Sequence, residues 1–107
     1  RTRVFKVPPQ VLVDNKLSRT HTVIELNGRN RVGLLHDVTS AITELGLQIA
    51  SAHISTYGVR VVDVFYVKDI FGLKIENKEK HKAIIDALLT LLSPPVIEAK
   101  QNSAAAE

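Results

Sequence analysis

The sequence predicts an α+β fold, an antiparallel four-stranded sheet carrying two helices on one face. Three observations predict it. Four stretches show the alternating or β-branched apolar pattern of strands. Two others repeat apolar residues at helical spacing. Their order along the 107 residues is strand, strand, helix, strand, strand, helix, a β-βαββα arrangement.

Residues 1–9 carry Arg1, Arg3 and Lys6 and end in Pro8-Pro9, the composition of a linker or arm. Residues 10–14 are a short apolar run closed by the turn signal Asp14-Asn15 and read as the first strand. Residues 20–27 alternate, with Thr22, Ile24 and Leu26 on one face, and read as the second. Residues 28–33 form a loop. Leu34, Leu35, Val38, Ile42 and Leu45 then fall on one face of a helix, with Asn30 placed to cap its start and Gly46 to stop it.

Residues 47–57 read as the third strand, Leu47, Ile49, Ser51 and His53 alternating against Gln48, Ala50, Ala52 and Ile54, and Tyr57-Gly58 turns the chain. Residues 60–69 are rich in Val, Phe and Tyr, with apolar residues on both faces, the mark of a central strand covered on both sides. Residues 71–75 lead out of it. The second helix spans about residues 78–92, with His81, Ile84, Ile85, Leu88, Leu89 and Leu92 turned inward, and Ser93-Pro94-Pro95 ends it. Residues 93–107 have little to pack with and are expected to form a flexible tail, which leaves 10–92 as the domain.

From the second strand onward the order is that of a split β-α-β, ferredoxin-like unit without its last strand. A strand pattern precedes Thr20 and none follows Leu92. The first strand is therefore expected to pair with the second and fill the sheet edge from the N-terminal side, removing a row of exposed backbone donors and acceptors.

Composition narrows the function classes. The chain has no cysteine, which excludes a disulfide framework and a thiolate metal site and fits a reducing, cytoplasmic setting. Its apolar runs are too short for a membrane span. It starts Arg1-Thr2-Arg3 with no long apolar stretch behind, so no secretory leader is expected, and the absence of any methionine reads as part of a longer protein. The net charge of +3 is spread thinly, with Lys78, Lys80 and Lys82 on a solvated helix face, which argues against nucleic acid. RNA binding on such a sheet needs exposed aromatics in a basic, glycine-bearing context, and only Phe65 and Tyr66 are candidates. His21, His36, His53 and His81 are dispersed without metal-ligand spacing, no nucleophile sits in an elbow, and Asp63 and Asp69 make no paired-carboxylate pattern, so neither a metal site nor catalytic residues are expected.

The run Asn27-Gly28-Arg29-Asn30-Arg31-Val32-Gly33-Leu34-Leu35 resembles the Asp-Arg-Pro-Gly-Leu-Leu signature between the first strand and first helix of ACT domains, with Asn30 in the Asp position and Val32 in the Pro position. Ser51-Ala52-His53-Ile54-Ser55-Thr56-Tyr57-Gly58, Val62-Asp63-Val64-Phe65-Tyr66-Val67 and Phe71-Gly72-Leu73-Lys74-Ile75 are similar to the second, C-terminal ACT domain of the bacterial PII uridylyltransferase/uridylyl-removing family, as are Phe5-Lys6-Val7-Pro8-Pro9 and Thr20-His21-Thr22-Val23-Ile24. The resemblance implies a ferredoxin-like ACT module that senses glutamine and takes part in nitrogen signalling. It implies no cofactor in this stretch, a magnesium-dependent parent enzyme, and as partners a second ACT domain (a sister domain or another copy), the parent's catalytic domains and, through the parent, the PII protein.

Two segments are the candidate ligand site. Gly28 and Gly33 let a backbone come close, the opening amides of the first helix attract a negative group, and Asn30 and Arg31 add polar and cationic groups. Asn27, Val32, Leu34 and Leu35 complete that side. Ile49, Ala50, Ser51 and Ala52 complete the other, on a strand whose free edge would pair with a neighbouring module. The competing reading is a pure assembly module with the same fold and no ligand of its own.

Overall fold

The computed structural model describes residues 8–93. The first two strands, β1 (Gln10–Asp14) and β2 (Thr22–Arg29), are followed by helix α1 (Leu34–Glu44), strands β3 (Gln48–Tyr57) and β4 (Arg60–Lys68), and helix α2 (Lys78–Leu92). The four strands form one sheet in the order β1-β2-β4-β3, antiparallel at every step. β1 pairs with β2 from Gln10 opposite Asn27 to Asp14 opposite Val23, so the edge is filled from the N-terminal side as expected. β3 holds the other edge with its outer row of backbone groups free of any strand among the described residues. The readings of 1–9 as an arm and 93–107 as a tail fall outside the described residues except at Pro8, Pro9 and Ser93.

The alternation read from the sequence of β2 is what turns it to the core. Thr22, Ile24, Leu26 and Gly28 face the helices and are buried, as are Val61, Asp63, Phe65 and Val67 on the adjacent β4. α1 adds Leu34, Val38 and Ile42 to this core, and α2 adds Ile84, Leu88 and Leu92. α1 packs on β3 and on α2, and α2 packs on β1. The opposite face of β4 carries Val62, Val64 and Tyr66, all half-buried with no helix over them. β4 is thus central in the sheet but covered on one side only, a correction to the two-sided cover its composition suggested.

Thr22 anchors the end of the sheet away from the β2–α1 loop. Its hydroxyl donates to Asn15 Oδ1 at 2.5 Å and accepts from the backbone N–H of Ile75 at 2.8 Å. Asn15 Nδ2 in turn donates to Ile75 O, so three segments are tied through buried polar groups with partners on both sides. Asn77 caps α2, its side chain accepting from the amides of Glu79 and Lys80.

Three boundaries differ from the sequence reading. β2 starts at Thr22 and runs on to Arg29, because Asn27, Gly28 and Arg29 pair with Val62, Val61 and Arg60. The cap of α1 is Gly33, with φ 80° and no side-chain bond, not Asn30, whose backbone N–H instead donates to Val59 O at 2.6 Å. The alternation of β3 breaks between Ile49 and Ser51, where a bulge leaves Ala50 without a partner. Beyond it Ala52 and Ile54 sit opposite Phe65 and Asp63 on the helix side, and Ser51 and His53 move to the open face opposite Tyr66 and Val64.

Candidate functional site

The loop between β2 and α1 is built by two constraints. Pairing of Arg29 with Arg60 and the Asn30–Val59 bond hold its start, and Gly33 in the left-handed region turns the chain into the helix. The Leu34 N–H is bent back onto Arg31 O at 3.2 Å, and the first α-type bond runs from Asp37 N–H to Gly33 O at 2.9 Å. The amides of Leu35 and His36 are left without an acceptor among the described residues. These donors sit at the positive end of the α1 dipole, where an anion is favoured.

The charges around them are partly committed. Arg31 forms an ion pair with Asp37 at 2.9 Å and also reaches Val32 O at 3.2 Å and Leu91 O at 3.4 Å, so it bridges α1 to the end of α2. An incoming carboxylate would meet free amides, not a free guanidinium. Val32 is 97% exposed and Leu35 44%, while Leu34 is in the core.

Two of the expected site residues do other work. Asn27 lies on the helix-free face, where its Oδ1 accepts from Arg60 Nη2 at 2.6 Å. Gly28 is buried in β2 beneath α2, and a Cβ built on it would lie 2.8 Å from Leu92 Cδ2. Its missing side chain makes room for Leu92. Asn30, Arg31, Val32 and Gly33 remain exposed at the loop, with Leu35 beside them.

Ile49, Ala50, Ser51 and Ala52 lie on the free-edge strand, exposed apart from half-buried Ile49. The loop stands at the other end of that strand, since Tyr57 is opposite Arg60 and Arg60 opposite Arg29. Five to eight residues of strand separate the two segments, about 16–26 Å at the usual rise. One chain therefore does not bring them together. Hollows lie beside Leu45 and Asn77, beside Val11 and Leu89, and beside His36 and Leu91, and residues 30–33 line none of these.

Asp63, which the sequence showed only as a carboxylate without a paired partner, has an unusual setting. It lies inside β4 on the helix side, opposite Leu26 and Ile54, 3% exposed, and its Oδ1 has no hydrogen-bond partner. Burial pushes its carboxyl above the ordinary 3.8, and the backbone amide of Ser55 on β3 pulls it partly back. The sequence shows one carboxylate inside the apolar run Val61-Val62-Asp63-Val64-Phe65, but with apolar residues on both faces it does not show which face Asp63 takes. No cluster of three or more His, Cys, Asp or Glu suited to a metal ion occurs among the described residues.

Comparison with known proteins agrees with the resemblance read from the motifs. A family model described as an ACR9-like, ACT-like domain matches residues 10–101. The bifunctional uridylyltransferase/uridylyl-removing enzyme of Azospirillum brasilense is 61% identical over 95 residues, covering 89% of this chain and 10% of that protein. Those of Rhodospirillum rubrum and Gluconobacter oxydans are 55% and 56% identical, each covering 90% of this chain and 10% of the relative. The chain thus spans about a tenth of the length of the curated relatives it matches. Among solved structures, a crystal structure of an unknown protein from Galdieria sulphuraria superposes with a TM-score of 0.50 at 20% identity, covering 78% of this chain and 39% of that one, a likeness of fold.

Proposed function

The chain belongs to the ACT-like domains, in the form carried by bifunctional uridylyltransferase/uridylyl-removing enzymes, and on that premise we propose that it is a regulatory module that binds an amino acid, glutamine first among them. The observation that carries the reading is the set of free amides at the head of α1, at the same end of the domain as the finish of the unpaired β3 edge. A free, ten-residue strand edge is a template for another strand. When two β3 strands pair antiparallel about a two-fold axis, the start of one lies beside the end of the other. Residues 49–52 of one module then stand next to the loop of its neighbour, which closes the 16–26 Å gap seen within one chain, at about 3.3 Å per residue.

In this reading the ligand sits between two modules, a sister domain or a second copy, and shifts the balance between two arrangements of the pair. Such control needs about 1–3 kcal/mol of differential affinity. The parent's nucleotidyl-transfer and removal activities, with magnesium and the PII protein, are what the shift would govern, and this module supplies no catalytic residue of its own. The second reading, an assembly module without a ligand, is supported by the same unpaired edge.

Titration calorimetry with glutamine, alongside asparagine and glutamate, tests the choice. Heat and a raised melting temperature with glutamine support sensing. Dimerisation without any heat at millimolar ligand supports assembly alone.

A further inference from the structure

Among the described residues, only Thr22 and Asp63 are polar side chains buried in the core. They differ in one respect. The Thr22 hydroxyl has both a donor and an acceptor role filled, whereas Asp63 Oδ1 is left without a partner. The two ion pairs described, Arg31–Asp37 and Lys82–Asp86, do not involve Asp63. A buried residue whose carboxyl oxygen has neither a hydrogen-bond partner nor an ion-pair partner is costly, and such groups gather where a ligand supplies the missing partner.

Its position points to the head of α1. Asp63 lies two residues along β4 from Val61, which is opposite Gly28 near the end of β2, so it is about 7 Å below the loop end of the sheet. β2 runs from Gly28 through Arg29 into the loop that opens α1, so Asp63 lies toward the same end of the sheet as the head of that helix, whose Leu35 and His36 amides are free. β3, the free-edge strand, pairs beside it, with Ile54 directly opposite. On that side the cover is thin, since its cross-strand neighbour Ile54 is 46% exposed.

Free amides favour an anion and an unpartnered carboxylate favours a cation. An α-amino acid carries both on one carbon. We propose that Asp63 accepts the α-ammonium group of the bound amino acid while the opening amides of α1 receive its α-carboxylate. The inference rests on the amino-acid-sensing reading above and adds the residue that separates an amino acid from a simple carboxylic acid. Leu35 on α1 and Ile54 on β3, opposite Asp63, are both half-exposed. The side chain of the amino acid points away from Asp63, toward the neighbouring module.

The test is titration calorimetry of the unaltered chain and of Asp63→Asn with glutamine and with glutaramate, the same molecule lacking its α-amino group. The account expects the unaltered chain to bind glutamine at least tenfold more tightly than glutaramate. It expects Asp63→Asn to lose about tenfold or more for glutamine while its melting temperature without ligand stays level or rises. Glutamine binding that survives Asp63→Asn unchanged, or glutaramate binding as well as glutamine, overturns the assignment of Asp63 and leaves the sensing reading intact. No binding of any amino acid to the unaltered chain removes the sensing reading, and the assignment falls with it. Carbon-13 NMR of the Asp63 carboxyl in the unaltered chain reads the same contact without a variant. Saturating glutamine must move its titration to lower pH, and an unmoved titration contradicts the proposal.

Discussion

Replacing Gly28 by alanine tests whether that glycine serves packing or ligand approach. A Cβ at position 28 falls 2.8 Å from Leu92 Cδ2 and 3.5 Å from Leu92 Cβ and Cγ, so the leucine must move. Leu92 is the last residue of α2 and is 6% exposed, which leaves it some room at the helix end. Overpacking of this kind costs about 1–3 kcal/mol. Removing a strand glycine returns about 0.5–1 kcal/mol of that through the unfolded chain. The net loss is about 0–2.5 kcal/mol, and a loss near 1 kcal/mol in that range is roughly 4–8 °C in melting temperature for a domain of this size. Leu92→Ala alone loses about 2 kcal/mol or more of packing. In the double variant Gly28→Ala/Leu92→Ala the clash is gone and the gain from removing the glycine stays, so it should be more stable than Leu92→Ala by about 0.5–1 kcal/mol, a coupling equal to the clash of about 1–3 kcal/mol. Urea unfolding of the four proteins measures it. Strictly additive losses, or a Gly28→Ala protein that melts normally but binds ligand poorly, would show that the glycine serves the loop and not Leu92.

Three further outcomes follow from buried polar groups and caps. Thr22→Val should cost about 1–3 kcal/mol by thermal denaturation, because the Ile75 amide and Asn15 both lose a buried partner. Asn77→Ala should cost about 1 kcal/mol in thermal unfolding followed by far-UV circular dichroism, and Asn77→Asp should restore it. The third concerns pH. Because burial raises the Asp63 carboxyl above its ordinary 3.8, the folded state holds this proton more tightly than the unfolded chain. Its contribution is complete below 3.8 and fades as pH rises through the raised folded value. Asp63→Asn should therefore gain stability over the unaltered chain across that rise, and equal unfolding curves at every pH would contradict the burial of the charge.

The fold was legible because its elements are strongly patterned. The period-two run Thr22-Val23-Ile24-Glu25-Leu26 and the spacing of Leu34, Val38 and Ile42 put those residues where the core is. The strand ahead of Thr20 and the empty stretch after Leu92 were enough to place β1 at the edge. What failed was local. A bulge at Ala50 shifts a strand's faces without any residue-type signal, so the alternation of β3 could not be read past it. Gly28 looked like loop chemistry because glycine has two uses, freedom of φ and absence of a Cβ, and only the position of Leu92 separates them. Asp63 was overlooked because a charged residue within a strand is most often on a solvated face. Its core parity emerges only once β4 is registered against Leu26.

The central claim is that an amino acid docks at the head of α1 beside the β3 edge of a neighbouring module. Amide NMR of the nitrogen-15-labelled chain titrated with glutamine tests it most directly. Saturable shifts are expected at residues 31–36 and at 49–55, with the hollow lined by Leu45, Asn77 and Lys80 at the opposite end of α1 unmoved. Shifts confined to that hollow, or a spectrum unchanged at millimolar glutamine, would contradict it.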